Sequence, residues 1–376
     1  MEWVYSEEQE ELRSTVRRFL RDKVPGEEVR RVMETELGHD PAVWRQMADQ
    51  IGLQGLAVPE EYGGAGFGLV ELSVVLEEMG RTLLPAPYFA SVALAANVLL
   101  TSGDEAAKKD LLPGIASGDT IATLALAEDG GSWDPGAVRM TARREGERYL
   151  LTGHKNFVLD GHIADLVLVV ARTDAGLSLF AVDGDLLGLS RTPLTTLDAT
   201  RRQARLVFDA LPGRLIGTDG GAEPGLVKAL DIAAALLACE QMGGAQHCLE
   251  SAVEHAKERV QFGRVIGSFQ AVKHKLADMF VDIELARSAA QYAVWQVAED
   301  TDEAGAAAGV AKAYCSLAYW NTVVETVEAH GGIAFTWEHD THLYYKRAKS
   351  TQVLLGDPVH HRELIAQRVG FAEPAV

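Results

Sequence analysis

The hydrophobic period of this chain changes twice, and this change constrains the fold more than any single motif does. To about residue 118 apolar residues recur every three or four positions, as at Leu12, Val16 and Leu20. Ser6 followed by Gln9 forms a capping-box pattern just before that run. The first segment is therefore predicted to be helical.

From Thr120 to about Ile216 the pattern becomes that of β-strands. Short runs rich in β-branched and aromatic residues, separated by Gly and Asp turns, read "RYLLTGHKNFVL", "DLVLVVART", "LSLFAVD" and "QARLVFDAL". After "GTDGGAEPG" helical periodicity resumes over 225–258, 268–300, 305–330 and a last piece from Pro358. These patterns predict an antiparallel β domain followed by an antiparallel helix bundle.

The predicted fold is α+β with three domains. We expect an N-terminal α-helical domain over 1–118, a middle β domain over 119–221 and a C-terminal four-helix bundle over 222–376. A chain of 376 residues is long enough for two or three domains with buried cores.

Charge and composition exclude several function classes. Lys and Arg total 35 against 54 Asp and Glu, a net charge of −19, which repels nucleic acid and anionic membranes. No stretch approaches the roughly 18 unbroken apolar residues of a membrane helix. The first residues are acidic where a signal peptide would be basic, so we expect a cytoplasmic protein.

The cysteines and histidines do not form a metal-binding pattern. Cys239, Cys248 and Cys315 lack CxxC spacing and are expected to be buried free thiols. The histidines form no HExxH motif, and we interpret Glu338–His342 as polar helix or loop surface. No metal site is predicted.

Four long motifs carry a resemblance to a known family. "ERVQFGRVIGSFQAVKHKLADM" and "HGGIAFTWEHDTHLYYKRAK" resemble the C-terminal domain of the acyl-CoA dehydrogenases, and "VPEEYGGAGFG" and "LLPGIASGD" resemble its first domain. The resemblance implies FAD as cofactor, an acyl-CoA thioester as substrate and an electron-transfer flavoprotein or similar electron acceptor. It also implies a carboxylate base, because a thioester α C–H is a weak acid and its proton must be removed as hydride leaves.

Both places where the family keeps this base lack a carboxylate here. The Glu of the family's Tyr-Glu-Gly-Thr stretch corresponds to Leu355. In the alternative Asp-x-Glu-Arg pattern, Asp231 matches the Asp, whose implied role is to hold the pantetheine chain of the substrate. The Glu and Arg of that pattern are Ala233 and Ala234, and this Arg would grip the nucleotide of coenzyme A.

The flavin contacts implied by the resemblance fall into two groups. Two threonines that bond the flavin ring in the family are Ala127 and Leu159 here. The residues that hold adenosine and pyrophosphate from a neighbouring protomer are kept, namely Arg259, Phe262, Gln270, Gly331 and Gly332. One departure in this second group is Glu328, where the family has Gln.

Each candidate also has a structural interpretation. Arg259 and Phe262 could pin a helix-to-loop corner, and the glycine pair could cap a helix. Asp357 precedes a proline and is better explained as a helix N-cap than as a relocated base. Glu240 is expected to be a buried, paired carboxylate rather than a base.

The sequence therefore suggests that the base lies on another chain. The pattern is similar to actinobacterial α2β2 acyl-CoA dehydrogenases, in which one subunit type lacks the base and donates the adenosine contacts to the other. Such enzymes are associated with bulky substrates such as steroid side chains. The alternatives are a homo-oligomeric flavoenzyme with its base at Asp231, Glu240 or Asp357, and an acyl-CoA-binding or scaffold protein without catalysis.

Overall fold

A computed structural model describes residues 5–146 and 148–371 and confirms the predicted order of helical, β and helical domains. The first α-helices are α1 (Glu7–Lys23), α2 (Gly26–Met33), α3 (Pro41–Gln46), α4 (Leu69–Thr82), α5 (Ala96–Leu100) and α6 (Glu105–Ala116). The segments Met47–Ile51 and Phe89–Ala95 are π-helical, and Glu60–Tyr62 is a 3-10 turn. The capping box of α1 is present, since Ser6 Oγ accepts from the Gln9 amide at 3.2 Å and Gln9 Oε1 accepts from the Ser6 amide at 3.0 Å.

The middle domain is one sheet that closes on itself. Its strands are β1 (Ala122–Ala125), β2 (Thr141–Glu145), β3 (Arg148–Leu159), β4 (Leu166–Thr173), β5 (Gly176–Asp183), β6 (Ser190–Pro193) and β7 (Gln203–Ile216). The pairing order is β1-β4-β2-β3-β7-β5, and β5 also pairs with β4, which closes the path into a ring. A core that includes Leu151, Val169, Phe180, Leu206 and Phe208 fills its interior.

Two features of this sheet lie beyond the predicted antiparallel hairpins. β1 pairs with β4 in parallel, Ala122 opposite Leu166, because the intervening β2–β3 hairpin provides the long connection that parallel strands need. The register of β3 against β7 shifts between Lys155 and Val158, and Phe157 at this irregularity has φ 57°. Such a bulge redirects side chains on the strand that carries it.

The C-terminal domain consists of long helices, as predicted. They are α7 (Glu223–Glu258), α8 (Gln270–Ala298), α9 (Ala304–His330), α10 (Thr341–Val353) and α11 (Pro358–Arg368). A two-stranded hairpin, β8 (Val260–Gln261) and β9 (Arg264–Val265), joins α7 to the turn before α8.

Helix α10 was not predicted as a separate element, and its burial pattern explains why. Many of its buried residues are polar or charged, including Thr341, Arg347, Thr351 and Gln352. An apolar stripe is the main sequence signal of a helix, and here polar side chains occupy much of the inward face.

Two compact units make up the described chain. One comprises Met1–Arg30, Leu69–Leu84 and Ala234–Val376, and the other comprises Arg31–Gly68 and Pro85–Ala233, which includes the sheet. Within residues 5–146 and 148–371, no helix combines the length and the apolar character that crossing a membrane requires.

Candidate functional site

The hairpin after α7 presents an aromatic side chain on a strained turn. Between β8 and β9 lie only Phe262 and Gly263, whose φ angles are 53° and 79°, the signature of a type I′ turn. A bulky residue rarely adopts positive φ, and such strain is found mostly at functional sites. Phe262 is 92% exposed, so packing within this chain does not account for its position.

Arg259 lies at the start of this hairpin, and its guanidinium group has no ion-pair or hydrogen-bond partner within the described chain. Its backbone amide donates to His255 O at 2.9 Å and its carbonyl accepts from Ile266 at 2.8 Å, which fixes the base of the hairpin. Its side chain is exposed and forms no ion pair or side-chain hydrogen bond with any residue of the described chain. Gln270, the first residue of α8, is also exposed, and its amide nitrogen lies 3.4 Å from a ring nitrogen of His274.

The glycine pair at the end of α9 leaves open space above the backbone. Gly331 has φ 68° and ψ −145°, and its amide donates to Val327 O, so it caps the helix. A Cβ added at Gly331 or Gly332 would meet no atom of residues 5–146 and 148–371 within 4 Å, its own chain neighbours aside. Capping explains the conformation of Gly331 but not the open face, which would let a ligand approach the backbone closely. We call Arg259–Gln270 together with Gly331–Gly332 the clasp.

Glu328 lies beside the clasp at a position where the family has Gln, and it forms an ion pair. Lys275 Nζ lies 2.5 Å from Glu328 Oε2 and 2.7 Å from Glu325 Oε2. The hydrogen bonds to Glu325 and Glu328 raise the pKa of Lys275 to about 12. Glu328 therefore does not face its surroundings as an isolated anion.

The family base position on the loop between α10 and α11 is apolar. Leu355 is 4% exposed and has φ 61°. The fully buried Lys312 fixes this loop, because its ammonium donates to Gln352 O, Gly356 O and Ser316 Oγ, each at 3.1 Å. Burial lowers the pKa of Lys312 to about 7.

A second buried side chain holds the same loop. His361 Nε2 donates to Leu355 O at 2.9 Å, and burial lowers the pKa of this imidazole to about 3, so it is neutral at pH 7. Asp357 is the N-cap of α11 and accepts from Val359 and His360 amides at 3.0 and 2.8 Å, with Pro358 at the first helical position. Its carboxylate thus has the capping role that the sequence suggested.

The second base position lies in α7 and is also apolar. Ala233 and Ala234 are buried, whereas Asp231 is half-buried. Glu240, further along the same helix, accepts from Arg347 Nη1 at 2.9 Å, and both side chains are at least 96% buried. Its carboxylate is held in a buried ion pair.

The two ring-side positions of the sheet unit offer no polar side-chain atom. Ala127 and Leu159 are both buried, and their carbonyls accept from the Asn156 amide at 2.8 Å and Thr123 Oγ1 at 2.6 Å. We call these two residues, with Ala233 and Leu355, the apolar pocket positions, after the family pocket to which the sequence resemblance assigns them. None of the four side chains can donate a hydrogen bond to a flavin ring or accept a proton from a substrate.

The sequence analysis missed two buried lysines. Lys155 is fully buried, donates to Glu128 Oε1 and Leu126 O at 2.9 Å, and has a pKa that burial lowers to about 8. Lys312 was missed as well, although a lysine within the apolar sequence "GVAKAYCSLA" is a signal that could have identified it.

In the described residues no group of three or more His, Cys, Asp or Glu could hold a metal ion. The three cysteines are buried and unpaired, as expected.

Family models match nearly the whole chain. The acyl-CoA dehydrogenase N-terminal, middle and C-terminal domain models cover residues 6–119, 123–211 and 225–370. The acyl-CoA dehydrogenase IpdE2 of Mycolicibacterium smegmatis is 36% identical over 357 residues, which cover 94% of this chain and 96% of that protein.

Two solved structures of paired proteins are similar in fold and sequence. One is a variant of the Tcur3481-Tcur3483 steroid ACAD, with 35% identity, a TM-score of 0.86 and coverage of 97% of this chain and 98% of that one. The other is the ChsE4-ChsE5 complex of Mycobacterium tuberculosis, with 30% identity, a TM-score of 0.91 and full coverage of both chains.

Proposed function

Because this chain belongs to the acyl-CoA dehydrogenase family, FAD-dependent oxidoreductases that act on CH–CH groups, we propose that it is the base-lacking subunit of a hetero-oligomer. In this proposal a second acyl-CoA dehydrogenase subunit carries the carboxylate base and the flavin-ring contacts. This chain contributes the clasp that holds the adenosine and pyrophosphate of the partner's FAD.

One observation carries the proposal: the side chains at the four pocket positions are all apolar and buried, while the clasp is exposed and carries Arg259. Leu355 and Ala233 replace both family carboxylates, and Ala127 and Leu159 replace both ring-contacting threonines. In contrast, Arg259 is exposed and has no side-chain partner among the described residues, and Gly331 and Gly332 leave room for close approach. If two different subunits shared the cofactor site, the subunit without the base would be expected to lack functional side chains in only one half of that site.

The residues of this chain fit one end of FAD. The Arg259 guanidinium can donate two hydrogen bonds to a pyrophosphate, and the glycine backbone can approach it closely. Phe262 offers an exposed aromatic face, and Gln270 an exposed amide. The ring end of FAD does not fit this chain, because neither Ala127 nor Leu159 has a hydrogen-bonding side-chain atom.

The chemistry of the complex is divided in the same way. When bound, FAD accepts the hydride that leaves Cβ of the acyl-CoA. We propose that the α proton goes to a carboxylate of the partner, since Glu240 is committed to Arg347 and Asp357 to the α11 amides. Asp231 is proposed to contact the pantetheine chain of a substrate rather than to move a proton.

Substrate and acceptor follow from the relatives by analogy. The similarity to a steroid ACAD suggests a bulky, steroid-derived acyl-CoA. We propose an electron-transfer flavoprotein or a similar protein as the acceptor of the electrons. A cytoplasmic location stays a prediction.

Purification of this chain alone and with a base-carrying subunit from the same cells tests the proposal. The chain alone should lack flavin absorbance and turnover, whereas the co-purified complex should contain both subunits in equal numbers and retain FAD. Native mass spectrometry measures the stoichiometry. A chain that purifies alone as a yellow homo-oligomer and turns over acyl-CoA would overturn the proposal in favour of a relocated base.

A further inference from the structure

A cavity of about 460 Å³ lies beside the clasp, between the β8–β9 hairpin, the first turns of α8 and the end of α9. Its walls are mainly apolar and aromatic and include Phe262, Phe269 and Met279. An aromatic, apolar cavity of this size can take a planar heterocycle such as a purine.

Three charged side chains line the same cavity. Lys275 of α8 lies within hydrogen-bond distance of both Glu325 and Glu328 of α9, at 2.7 and 2.5 Å. The lysine is about half exposed, and the three groups together carry a net charge of −1. Without Lys275 the cavity wall would carry two carboxylates and a charge of −2.

This charge matters because the clasp beside it is suited to a pyrophosphate. A pyrophosphate brings only acceptor oxygens and negative charge, and two unpaired carboxylates nearby would repel it. Repulsion strengthens when a partner subunit covers the surface and excludes water. Adenosine, by contrast, brings hydroxyl and amino donors, which a carboxylate oxygen of Glu328 can accept.

We propose that Lys275 is a positioning residue of the clasp, which bridges Glu325 and Glu328 so that the cavity beside Phe262 accepts the adenosine end of FAD. The inference rests on the proposed function, because it assigns the cavity to the cofactor shared with the partner. The Glu328–Lys275 pair then takes the place of the uncharged side chain that the family has at position 328.

FAD and ADP titrations of the full-length chain in complex with its base-carrying partner test this role. After removal of FAD, its rebinding is followed by flavin fluorescence, and ADP is used as a competitor that contains only the adenosine and pyrophosphate. The variants are Lys275→Met, Glu328→Gln and the double variant. Lys108→Met is the matched control, because Lys108 forms a comparable ion pair with Glu105 at 2.8 Å and is not among the residues lining the cavity.

Lys275→Met should weaken FAD binding roughly tenfold, since it uncovers negative charge beside an anionic ligand. ADP binding should weaken in parallel, and the loss should shrink at high salt. Glu328→Gln alone should not weaken either affinity, because Gln keeps an acceptor oxygen for adenosine and removes one negative charge, and the double variant should recover most of the loss because one anion is gone. Lys108→Met should bind like the wild type.

Three outcomes would overturn the inference. They are unchanged FAD affinity in Lys275→Met, a double variant as weak as the single one, and a loss of affinity that only follows a lowered melting temperature of the chain. The third outcome would mean that the ion pairs of Lys275 with Glu325 and Glu328 only stabilise the packing of α8 against α9. The proposed function fails separately, if the wild-type chain binds FAD without a partner. In that case, FAD and ADP titrations of the wild-type chain and its Lys275→Met variant without a partner would still measure the effect of Lys275.

Discussion

The clasp and the apolar pocket positions differ in every physical respect that matters for a cofactor site. In the clasp, Arg259 and Phe262 are exposed and Gly331 faces open space. At the pocket positions, Leu355 and Leu159 are buried and carry only hydrocarbon. This contrast supports the proposal that the chain keeps the part of the site that serves a neighbouring subunit and lacks the part that would serve its own site.

The energetics of the two regions support this interpretation. A buried leucine stabilises a fold by about 1.5–3 kcal/mol, so Leu355 and Leu159 contribute to stability where a functional side chain would cost it. Phe262 and Leu355 both hold positive φ angles, which for a non-glycine residue costs on the order of 1–3 kcal/mol, and only Leu355 offsets this cost by burial. Stability therefore explains the pocket positions, whereas the clasp is better explained by function.

The largest expected effect concerns chemistry. The isolated chain should dehydrogenate acyl-CoA roughly 100-fold to 10,000-fold more slowly than the complex with a base-carrying partner, because a positioned base typically contributes that factor. Single-turnover assays with an artificial electron acceptor and added FAD measure it. If the chain alone turned over acyl-CoA at the rate of the complex, the apolar pocket positions would not have removed its catalytic activity, and the proposed contrast with the clasp would be wrong.

The next prediction concerns Glu240, one of the three candidates for a base within this chain. Arg347→Met should lower the free energy of unfolding by about 3–5 kcal/mol, because it leaves a buried carboxylate without its cation. The measurement is urea unfolding, with the exposed Arg18→Met as control. Glu240→Gln should also affect stability more than turnover of the complex. If it abolished turnover while melting temperature and flavin content stayed constant, Glu240 would be catalytic.

The third prediction tests the clasp itself. Arg259→Ala should weaken FAD binding to the complex roughly tenfold to a hundredfold, the usual value of a charge-assisted hydrogen bond. Arg259→Lys should restore part of the affinity, because an ammonium keeps the charge and lacks the planar fork. Equilibrium titration of FAD measures both, with Arg143→Ala as an exposed control outside the clasp. An unchanged affinity in Arg259→Ala would leave Arg259 as a corner residue and remove the main support for the donor subunit.

The smallest effect concerns the loop that carries Leu355. Burial lowers the pKa of Lys312 from its ordinary value of 10.5 to about 7 in the folded chain. Between these values the unfolded chain binds more protons, so this group makes the fold more stable as pH rises from 7 towards 10.5. We expect about 1–2 kcal/mol of this rise between pH 7 and pH 9.

The variant Lys312→Met should lose that rise, whatever its effect on stability at pH 7. Urea unfolding of both proteins at several pH values measures the difference in slope, and Lys109→Met serves as the control for an exposed lysine. Parallel pH profiles for wild type and Lys312→Met would show that burial does not lower the pKa of Lys312 in the folded chain.

Local sequence patterns determined most of the architecture. The predicted strand over 148–159 is β3 with the same bounds, and the predicted helix over 305–330 is α9 with one residue added. Asp357 before Pro358 was identified as a cap from two adjacent residues. These features depend on backbone preferences and on short-range periodicity, which neighbouring residues specify.

The contacts that give the candidate site its chemistry were decided by the tertiary structure. Glu240 and Arg347 are 107 positions apart, and Lys275 and Glu325 are 50 apart, so no local pattern pairs them. The same holds for Lys312, whose partners lie 40 and 44 positions away, and for α10, which buries polar residues. The sequence by itself determined which residue types are present and which are missing. Only folding decided which charges meet, because ion pairs and buried hydrogen bonds depend on distances that chain topology sets.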